Sequence, residues 1–345
     1  MADILIRIVG RAGRITLNRP AALNALTYDM AMEIDAALRA WADDPAVELV
    51  IIDATGERAF CAGGDIQHMY DTAKAGDFAF GRQFWADEYH LNARIFHFPK
   101  PFVAFMQGFN MGGGVGISCH GSHRIICENS QIAMPECGIG LVPDVGGSLL
   151  LARAPGRLGE YLGCSGARMG PGDAVLAGFA DYFIPFETWP NLIQTLELSG
   201  DITEIDRAAL PMPAAPLEAH LGWINRHFGG DTIVDILNGF DGSDFAIATE
   251  KTLRRNCPLS VAATVDLVRR VRGVDTIEFA LQLEYRFTYR SASDGDFVEG
   301  IRAAVIDKDR SPKWQHARLE DAVGLPAIRM LMPLKEKELS LGETL

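Results

Sequence analysis

The spacing of apolar residues changes repeatedly along the first half of the chain, from the spacing of strands to that of helices. Residues 4–9 and 14–17 predict a β-hairpin, and 28–41 places apolar residues at helical intervals after Thr27, a suitable N-cap. Short apolar runs have the composition of buried strands, at 47–53, 102–106 and 124–127. Because strands and helices alternate, we predict an α/β fold.

The second half of the chain has a different pattern. Residues 208–216 contain three prolines and are the best candidate for a linker. Beyond them helical spacing predominates, at 217–228, 260–271 and 276–289. We therefore predict a mixed core over residues 1–207 and a mainly helical C-terminal region over 217–345.

The composition of the whole chain narrows the classes of function. With 345 residues, 48% of them hydrophobic and 22% charged, the chain is an enzyme-sized globular protein. Its net charge of -13 leaves no basic footprint for nucleic acid. No apolar run reaches the roughly 18 residues that predict a membrane span. The six cysteines are scattered, which predicts reduced thiols, and no signal peptide is visible, so the predicted location is the cytoplasm.

Two glycine-rich loops, 59–66 and 107–116, each follow a predicted strand. Successive glycines let a backbone approach a ligand closely, and the start of a helix presents free N–H groups. Two such loops could aim two amides at one carbonyl oxygen, an oxyanion hole worth roughly 3–4 kcal/mol per donor. Tight packing of helix on strand also explains a single glycine cluster, and neither loop carries a nucleotide-phosphate fingerprint.

Residues 133–147 hold two carboxylates, Glu136 and Asp144, in otherwise apolar, glycine-rich sequence. Apolar surroundings raise the pKa of a carboxyl group, which suits general acid–base work near neutral pH. Both residues are therefore candidate catalytic groups. The alternative for Asp144 is that it caps the helix that follows Gly146 and Gly147.

Other chemistry is less well supported by the sequence. Cys119, His120, His123 and Cys127 match no standard zinc spacing, and we predict no metal site. Cys137 lacks an identifiable histidine partner for nucleophilic catalysis, so we interpret it as a small buried hydrophobic residue.

Four segments together resemble the enoyl-CoA hydratase/isomerase (crotonase) superfamily, namely 18–26, 59–66, 111–114 and 134–147. The resemblance implies a ββα spiral core that binds coenzyme A thioesters, with CoA as part of the substrate and no separate cofactor. By position, the backbone amides of Gly64 and Gly113 form the oxyanion hole. Five further residues are placed along the substrate and its CoA, namely Ala25, Ala62, Asp65, Ile66 and Gly112. A homo-oligomer formed through the C-terminal helices is compatible with the resemblance.

The carboxylates indicate which branch of the superfamily the chain resembles. Hydratases pair two glutamates, of which the second matches Glu136 but the first falls on Gly116. Asp144 stands where hydratases carry a small residue. Residues 142–147, together with the tail at 299–314, resemble the 3-hydroxyisobutyryl-CoA hydrolase branch. We interpret the tail as mostly structural.

This resemblance implies an enzyme that hydrolyses a short 3-hydroxyacyl-CoA thioester, in particular 3-hydroxyisobutyryl-CoA in valine catabolism. Glu136 would act as nucleophile or as general base, and Asp144 would orient the water or bind the 3-hydroxyl group. Two alternatives stay open. One is an enoyl-CoA hydratase or isomerase that uses Glu136 alone, and the other is a non-catalytic scaffold of the same fold.

Overall fold

The structure of the protein is a computed structural model that describes residues 2–342. Its strands are β1 (Ile4–Val9), β2 (Ala12–Leu17), β3 (Leu49–Ala54), β4 (Ala59–Cys61), β5 (Phe102–Met106), β6 (Phe109–Met111), β7 (His123–Ile126), β8 (Gln131–Ala133) and β9 (Tyr182–Phe183). Its helices are α1 (Tyr28–Trp41), α2 (Gln67–Lys74), α3 (Ala79–Phe96), α4 (Gly113–Gly116), α5 (Gly147–Arg153), α6 (Leu158–Ser165), α7 (Pro171–Leu176), α8 (Trp189–Ser199), α9 (Thr203–Ala208), α10 (Leu221–His227), α11 (Ile233–Asn238), α12 (Asp244–Arg255), α13 (Pro258–Val274), α14 (Ile277–Ser291), α15 (Phe297–Ile301), α16 (Leu319–Ala322) and α17 (Leu325–Met330).

The strands form two sheets that the chain visits in turn. The larger sheet has the order β1-β2-β3-β5-β7-β9, antiparallel between β1 and β2 and parallel elsewhere. The smaller sheet is parallel, with the order β4-β6-β8. From β3 onward the chain places one strand in the larger sheet, the next in the smaller sheet, and then a helical segment. This alternation confirms the ββα spiral that the family resemblance implies.

The first helix shows how the sequence pattern becomes structure. α1 buries Met30, Ile34 and Leu38 on the face that packs on the core, at the spacing of a helix. The Thr27 hydroxyl accepts a hydrogen bond from the Met30 N–H, which confirms the predicted N-cap. The predicted hairpin is also confirmed, because β1 and β2 pair in antiparallel register.

Several predicted elements differ by a few residues at their boundaries from the observed ones, and two of them show why. The strand predicted at 47–53 spans Leu49–Ala54, because Val47 closes a turn before the strand begins. The helix predicted at 217–228 is divided, since Pro216–His220 is a 3-10 turn and only the part after it is α-helical.

The C-terminal helices pack on the core of the first half. α13 contacts α5 and α6, and α14 contacts α3. The larger hydrophobic core includes residues from Ile4 to Leu341, and so draws on both predicted regions. The division into 1–207 and 217–345 stays a prediction. Between residues 2 and 342, no helix has the length and apolar character needed to cross a membrane.

Candidate active site

A cavity of about 180 Å³ lies where the two glycine loops meet the acidic segment. Most of the predicted site residues line it, namely Ala62, Gly64, Ile66, Gly112, Gly113, Glu136 and Asp144. Apolar side chains form much of the remaining wall, among them Met69, Phe84, Trp85, Leu141 and Phe297. The winding of the chain between two sheets thus brings segments that are distant in sequence to one small cavity.

The two glycine loops place backbone amides close together. Gly113 is the first residue of α4, so its N–H has no acceptor within the helix. A carbon atom added to Gly113 would lie 3.4 Å from the Gly64 nitrogen. Gly112 has a φ of +50°, and a side chain there would come within 2.8 Å of Glu136 Oε1. This close approach suits an oxyanion hole formed by the amides of Gly64 and Gly113, which stays a prediction.

Glu136 begins a 3-10 turn after Pro135 and is only 5% exposed. Its Oε2 atom is buried and has no hydrogen-bond partner among the described residues. Burial raises the pKa of this carboxyl well above its usual range, and the charge of Asp144 raises it further. Its surroundings therefore favour the protonated form of Glu136.

Asp144 is also 5% exposed, but it has a hydrogen-bond donor. The Tyr89 hydroxyl donates to Asp144 Oδ2 at 2.7 Å. Burial raises the pKa of Asp144 to about 6, and the hydrogen bond from Tyr89 limits the rise. Capping is not its role: Gly146 occupies the N-cap of α5, and the Asp144 side chain makes no capping bond. The capping alternative is therefore wrong.

Gly116 occupies the position of the first hydratase glutamate, and the space around it is filled. A side chain on Gly116 would meet Asn92 Nδ2 and Val145 Cβ, each at 2.7 Å. Asn92 and Val145 are both buried, so neither can move into solvent to make room. A second glutamate does not fit here without rebuilding the surrounding core.

We expect Gly116→Ala to lower the free energy of unfolding by about 1–3 kcal/mol, because a methyl group overpacks this site. Urea unfolding measures the change. Gly222→Ala is the matched control, since Gly222 lies in a helix with no atom within 4 Å of the added carbon. Equal stability of the two variants would contradict the packing described for Gly116.

Glu88 of α3 is a third carboxyl in the cavity, and it was not predicted from the sequence. It is 4% exposed, and its Oε1 atom lies 2.9 Å from the carbon that a side chain on Gly113 would add. Burial raises the pKa of Glu88 well above its usual range, with a further contribution from the charge of Asp144. Burial therefore favours the protonated form of Glu88, beside the predicted oxyanion hole.

A sequence signal for Glu88 exists in the pattern of α3. Trp85, Glu88, Tyr89 and Asn92 follow one another at intervals of three, one and three residues, which places them on one face of the helix. All four are buried. A polar residue on the buried face of a helix needs a partner or a function, and this criterion would have identified Glu88.

Phe297, the first residue of α15, lines the cavity, and its ring lies 5.4 Å from the ring of Trp85, centroid to centroid. It precedes the tail at 299–314, none of whose residues lines this cavity. The interpretation of that tail as mostly structural stays a prediction.

Two predicted CoA-binding residues lie outside this cavity. The Ala25 carbonyl accepts a hydrogen bond from Arg19 at 2.7 Å, and Arg19 also pairs with Asp65 at 3.1 Å. Asp65 lines a neighbouring cavity of about 500 Å³, and Phe84 borders both cavities. The Leu26 N–H donates to the Gly63 carbonyl, so the two predicted CoA segments lie side by side. CoA contacts of these residues stay a prediction.

The residues considered for other chemistry have separate partners. Within residues 2–342, no group of three His, Cys, Asp or Glu is arranged to hold a metal. His120 donates from Nε2 to the Val145 carbonyl at 2.8 Å, and burial lowers its pKa to about 4, so the ring is neutral. Burial raises the pKa of the Cys137 thiol well above its usual range, which opposes a nucleophilic role.

The profile of the enoyl-CoA hydratase/isomerase family matches residues 12–324, and the chain belongs to this family. It is 37% identical to the Gallus gallus protein named 3-hydroxyisobutyryl-CoA hydrolase, mitochondrial, over 99% of this chain and 91% of that protein. The Xenopus tropicalis protein of the same name is 40% identical, over 92% of this chain and 86% of that protein.

Two solved structures share the fold over nearly the whole chain. One is described as an enoyl-CoA hydratase from Rhodobacter sphaeroides 2.4.1, with 56% identity, a TM-score of 0.93, and coverage of 98% of this chain and 100% of that chain. The other is described as a carnitinyl-CoA dehydratase from Mycobacterium thermoresistibile, with 37% identity, a TM-score of 0.94, and coverage of 99% and 100%. The names of these relatives divide between hydrolysis and the addition or removal of water.

Proposed function

We propose that this chain hydrolyses a short 3-hydroxyacyl-CoA thioester, with 3-hydroxyisobutyryl-CoA as substrate and 3-hydroxyisobutyrate and CoA as products. The observation that carries the proposal is a buried, ionisable Asp144 that shares a cavity of about 180 Å³ with Glu136. The names of the curated relatives support the choice of substrate. Such a reaction belongs to valine catabolism, and it needs no cofactor beyond the CoA of the substrate.

The three carboxyls of the cavity differ in protonation. Asp144, with a pKa of about 6, is ionised at neutral pH. Burial and the charge of Asp144 raise the pKa of Glu136 and that of Glu88 well above their usual range, which favours the protonated form of each. The cavity thus holds one base and two proton donors, and a single negative charge limits repulsion of the oxyanion formed in hydrolysis.

In the proposed mechanism the Asp144 carboxylate takes a proton from water, and the water oxygen attacks the thioester carbonyl carbon. The amides of Gly64 and Gly113 hydrogen-bond the resulting oxyanion. Collapse of the tetrahedral intermediate breaks the C–S bond, and Glu136 gives its proton to the departing sulfur. The proton on Asp144 then passes to Glu136, and the carboxylic acid product loses its proton to solvent, so each cycle consumes one water and one thioester.

This mechanism changes the role expected for Glu136. The sequence left two roles for this residue, as a nucleophile or as a general base, and both require an ionised carboxylate. Burial and the charge of Asp144 raise the pKa of Glu136 well above its usual range, so we place the negative charge on Asp144, with a pKa of about 6, and the proton on Glu136. Asp144 is therefore the base, and Glu136 is the proton donor.

Glu88 is the residue we assign to the 3-hydroxyl group of the substrate. Its Oε1 atom is buried and has no hydrogen-bond partner in the described part of the chain. A buried group that hydrogen-bonds a substrate hydroxyl rejects analogues without it far more strongly than the size of a cavity can.

The substrate class is tested with a panel of CoA esters assayed for free thiol. 3-Hydroxyisobutyryl-CoA and isobutyryl-CoA differ only in the hydroxyl group, and we expect kcat/KM to be at least about 10²-fold higher for the hydroxylated ester. A long-chain 3-hydroxyacyl ester, too large for the cavity, serves as the control for size. Equal kcat/KM values for the first two esters would exclude a 3-hydroxyacyl substrate.

The pH dependence of kcat is expected to be bell-shaped. The rate should rise through a pH of about 6, as Asp144 loses its proton. It should fall at higher pH, as Glu136 loses its proton. Stopped assays of CoA release across the pH range measure both limbs. A rate that does not change between pH values of about 5 and 8 would contradict these assignments.

Enoyl-CoA hydration is the second candidate, and the description of a solved structure with 56% identity favours it. The filled space at Gly116 opposes it, because Asn92 and Val145 occupy the place of the first hydratase glutamate. The two reactions are distinguished by their products, since only hydrolysis releases a free thiol.

The cytoplasmic location also belongs to the proposal. It is supported by the scattered cysteines, which are all free and buried among the described residues. The curated relatives, by contrast, carry the word mitochondrial in their names. Association into a homo-oligomer stays a prediction, and size-exclusion chromatography with light scattering tests it.

A further inference from the structure

The turn that carries Asp144, residues 144–148, has an unfavourable backbone conformation. Val145 has a φ of +53°, in the left-handed region that β-branched residues avoid, and Gly146 follows with a φ of +77°. Such a conformation persists only where its surroundings enforce it. The side chains around the turn must therefore supply the restraint.

Glu284 of α14 makes most of the contacts that restrain this turn. Its Oε2 accepts a hydrogen bond from the Gly146 N–H at 2.8 Å, and its Oε1 accepts from the Ser148 N–H at 3.0 Å. Oε1 also accepts from the Ser148 hydroxyl. The Glu284 side chain is fully buried. Three donors of the turn thus converge on one carboxyl group that lies 136 residues further along the chain.

Two other side chains complete the restraint. The Tyr89 hydroxyl holds Asp144 Oδ2, and His120 Nε2 donates to the Val145 carbonyl. A side chain on Gly146 would meet His120 Nε2 at 2.5 Å, so the turn is packed tightly on this side. The turn is therefore held by hydrogen bonds from three separate parts of the fold.

We infer that Glu284 is a positioning residue, whose carboxyl group holds the turn 144–148 in the conformation that directs Asp144 into the cavity. The inference rests on the proposed hydrolysis, in which Asp144 is the base. A carboxyl group suits this task because both of its oxygens can accept hydrogen bonds from the turn. Stability alone does not require it, since the cost of burying a polar group largely offsets what its hydrogen-bond partners contribute.

The test is a double-mutant cycle that combines Glu284→Gln with Asp144→Asn, measured as kcat and KM for CoA release from 3-hydroxyisobutyryl-CoA. Glutamine keeps the shape of the side chain, but its amide nitrogen cannot accept a hydrogen bond. We expect Glu284→Gln to lower kcat about 10–100-fold with KM nearly unchanged, because the base is displaced. In the Asp144→Asn background we expect no further loss.

Glu278→Gln is the matched control, because Glu278 lies on the same helix and its partly exposed side chain pairs with His97 and not with the turn 144–148. Its kcat should equal that of the parent. Additive losses in the cycle, or a lower Tm with unchanged kcat, would show that Glu284 only stabilises the fold and would overturn the inference.

Two other results of the double-mutant cycle also bear on the role of Glu284. If Glu284→Gln does not fold, Ser148→Ala replaces it in the cycle and is judged by the same criterion, since it removes one donor to Glu284. Full activity of Asp144→Asn alone would refute the role of Asp144 as the base, whereas absence of CoA release by the parent protein would refute the proposed function. A low kcat of Asp144→Asn, with a loss that adds to that of Glu284→Gln, would refute only the positioning role of Glu284.

Discussion

Replacing Asp144 by asparagine is expected to lower kcat for CoA release by about 10²–10⁴-fold, because an amide cannot take the proton of the attacking water. KM should change little, since asparagine has the shape of aspartate and the Tyr89 hydroxyl can still donate to its oxygen. The ascending limb of the pH profile near pH 6 should disappear with the carboxylate. Steady-state assays of the released thiol measure all three quantities.

An exposed aspartate provides the control variant for Asp144→Asn. Asp244 lies in the first turn of α12 and is exposed, so Asp244→Asn should keep the kcat of the parent. The Tm of Asp144→Asn should not fall, because the substitution removes a buried charge. A lower Tm together with a normal kcat would mean that Asp144 serves the fold and not the reaction.

Replacing Glu136 by glutamine should cause a second large loss, also about 10²–10⁴-fold in kcat, because the departing sulfur then lacks its proton donor. Glutamine fills the same space, and the glycine loops are unchanged, so binding of a non-hydrolysable CoA thioether should be nearly intact. Calorimetry measures that binding, and the thiol assay measures turnover. The descending limb of the pH profile should also be lost.

Glu187→Gln provides the control for Glu136→Gln, because Glu187 is exposed in a 3-10 turn away from the cavity. Turnover of Glu136→Gln near that of this control would remove Glu136 from the mechanism. A parallel loss of thioether binding would instead indicate that the substitution damages the cavity.

The parts of the fold that local patterns determine were predicted well. α1, its Thr27 cap and the first hairpin follow from the spacing of apolar residues and from capping chemistry. Strand boundaries shifted by one or two residues, as at β3, because a turn competes for the first residues of an apolar run. The ββα spiral came from the family resemblance, since nothing in the periodicity specifies how two sheets share one chain.

The candidate site shows where sequence reasoning stops. Glu136 and Asp144 were found because each is an isolated acid in apolar, glycine-rich sequence. Glu88 lies in a helix with many polar residues, where an acid is typical of a solvated face. Glu284 lies on the buried face of its helix, but its partners Gly146 and Ser148 lie far away in sequence, and only the packing of α14 reveals them.

The choice between hydrolysis and hydration depends on one crowded position. Gly116 has no room for a side chain because Asn92 and Val145 fill the space beside it. Val145 is held there by the same turn that presents Asp144 to the cavity. One backbone conformation therefore has two consequences. It leaves no room for a glutamate at position 116, and it places the carboxyl group of Asp144 in the cavity.

Thioester hydrolysis is tested most directly by an experiment that follows free thiol and enoyl absorbance in the same samples. Purified protein is given 3-hydroxyisobutyryl-CoA in one series and crotonyl-CoA in another. We predict rapid thiol release from the first substrate, a strong reduction in Asp144→Asn, and little change in the absorbance of the second. Loss of enoyl absorbance without thiol release, at a higher kcat/KM than hydrolysis, would contradict the claim.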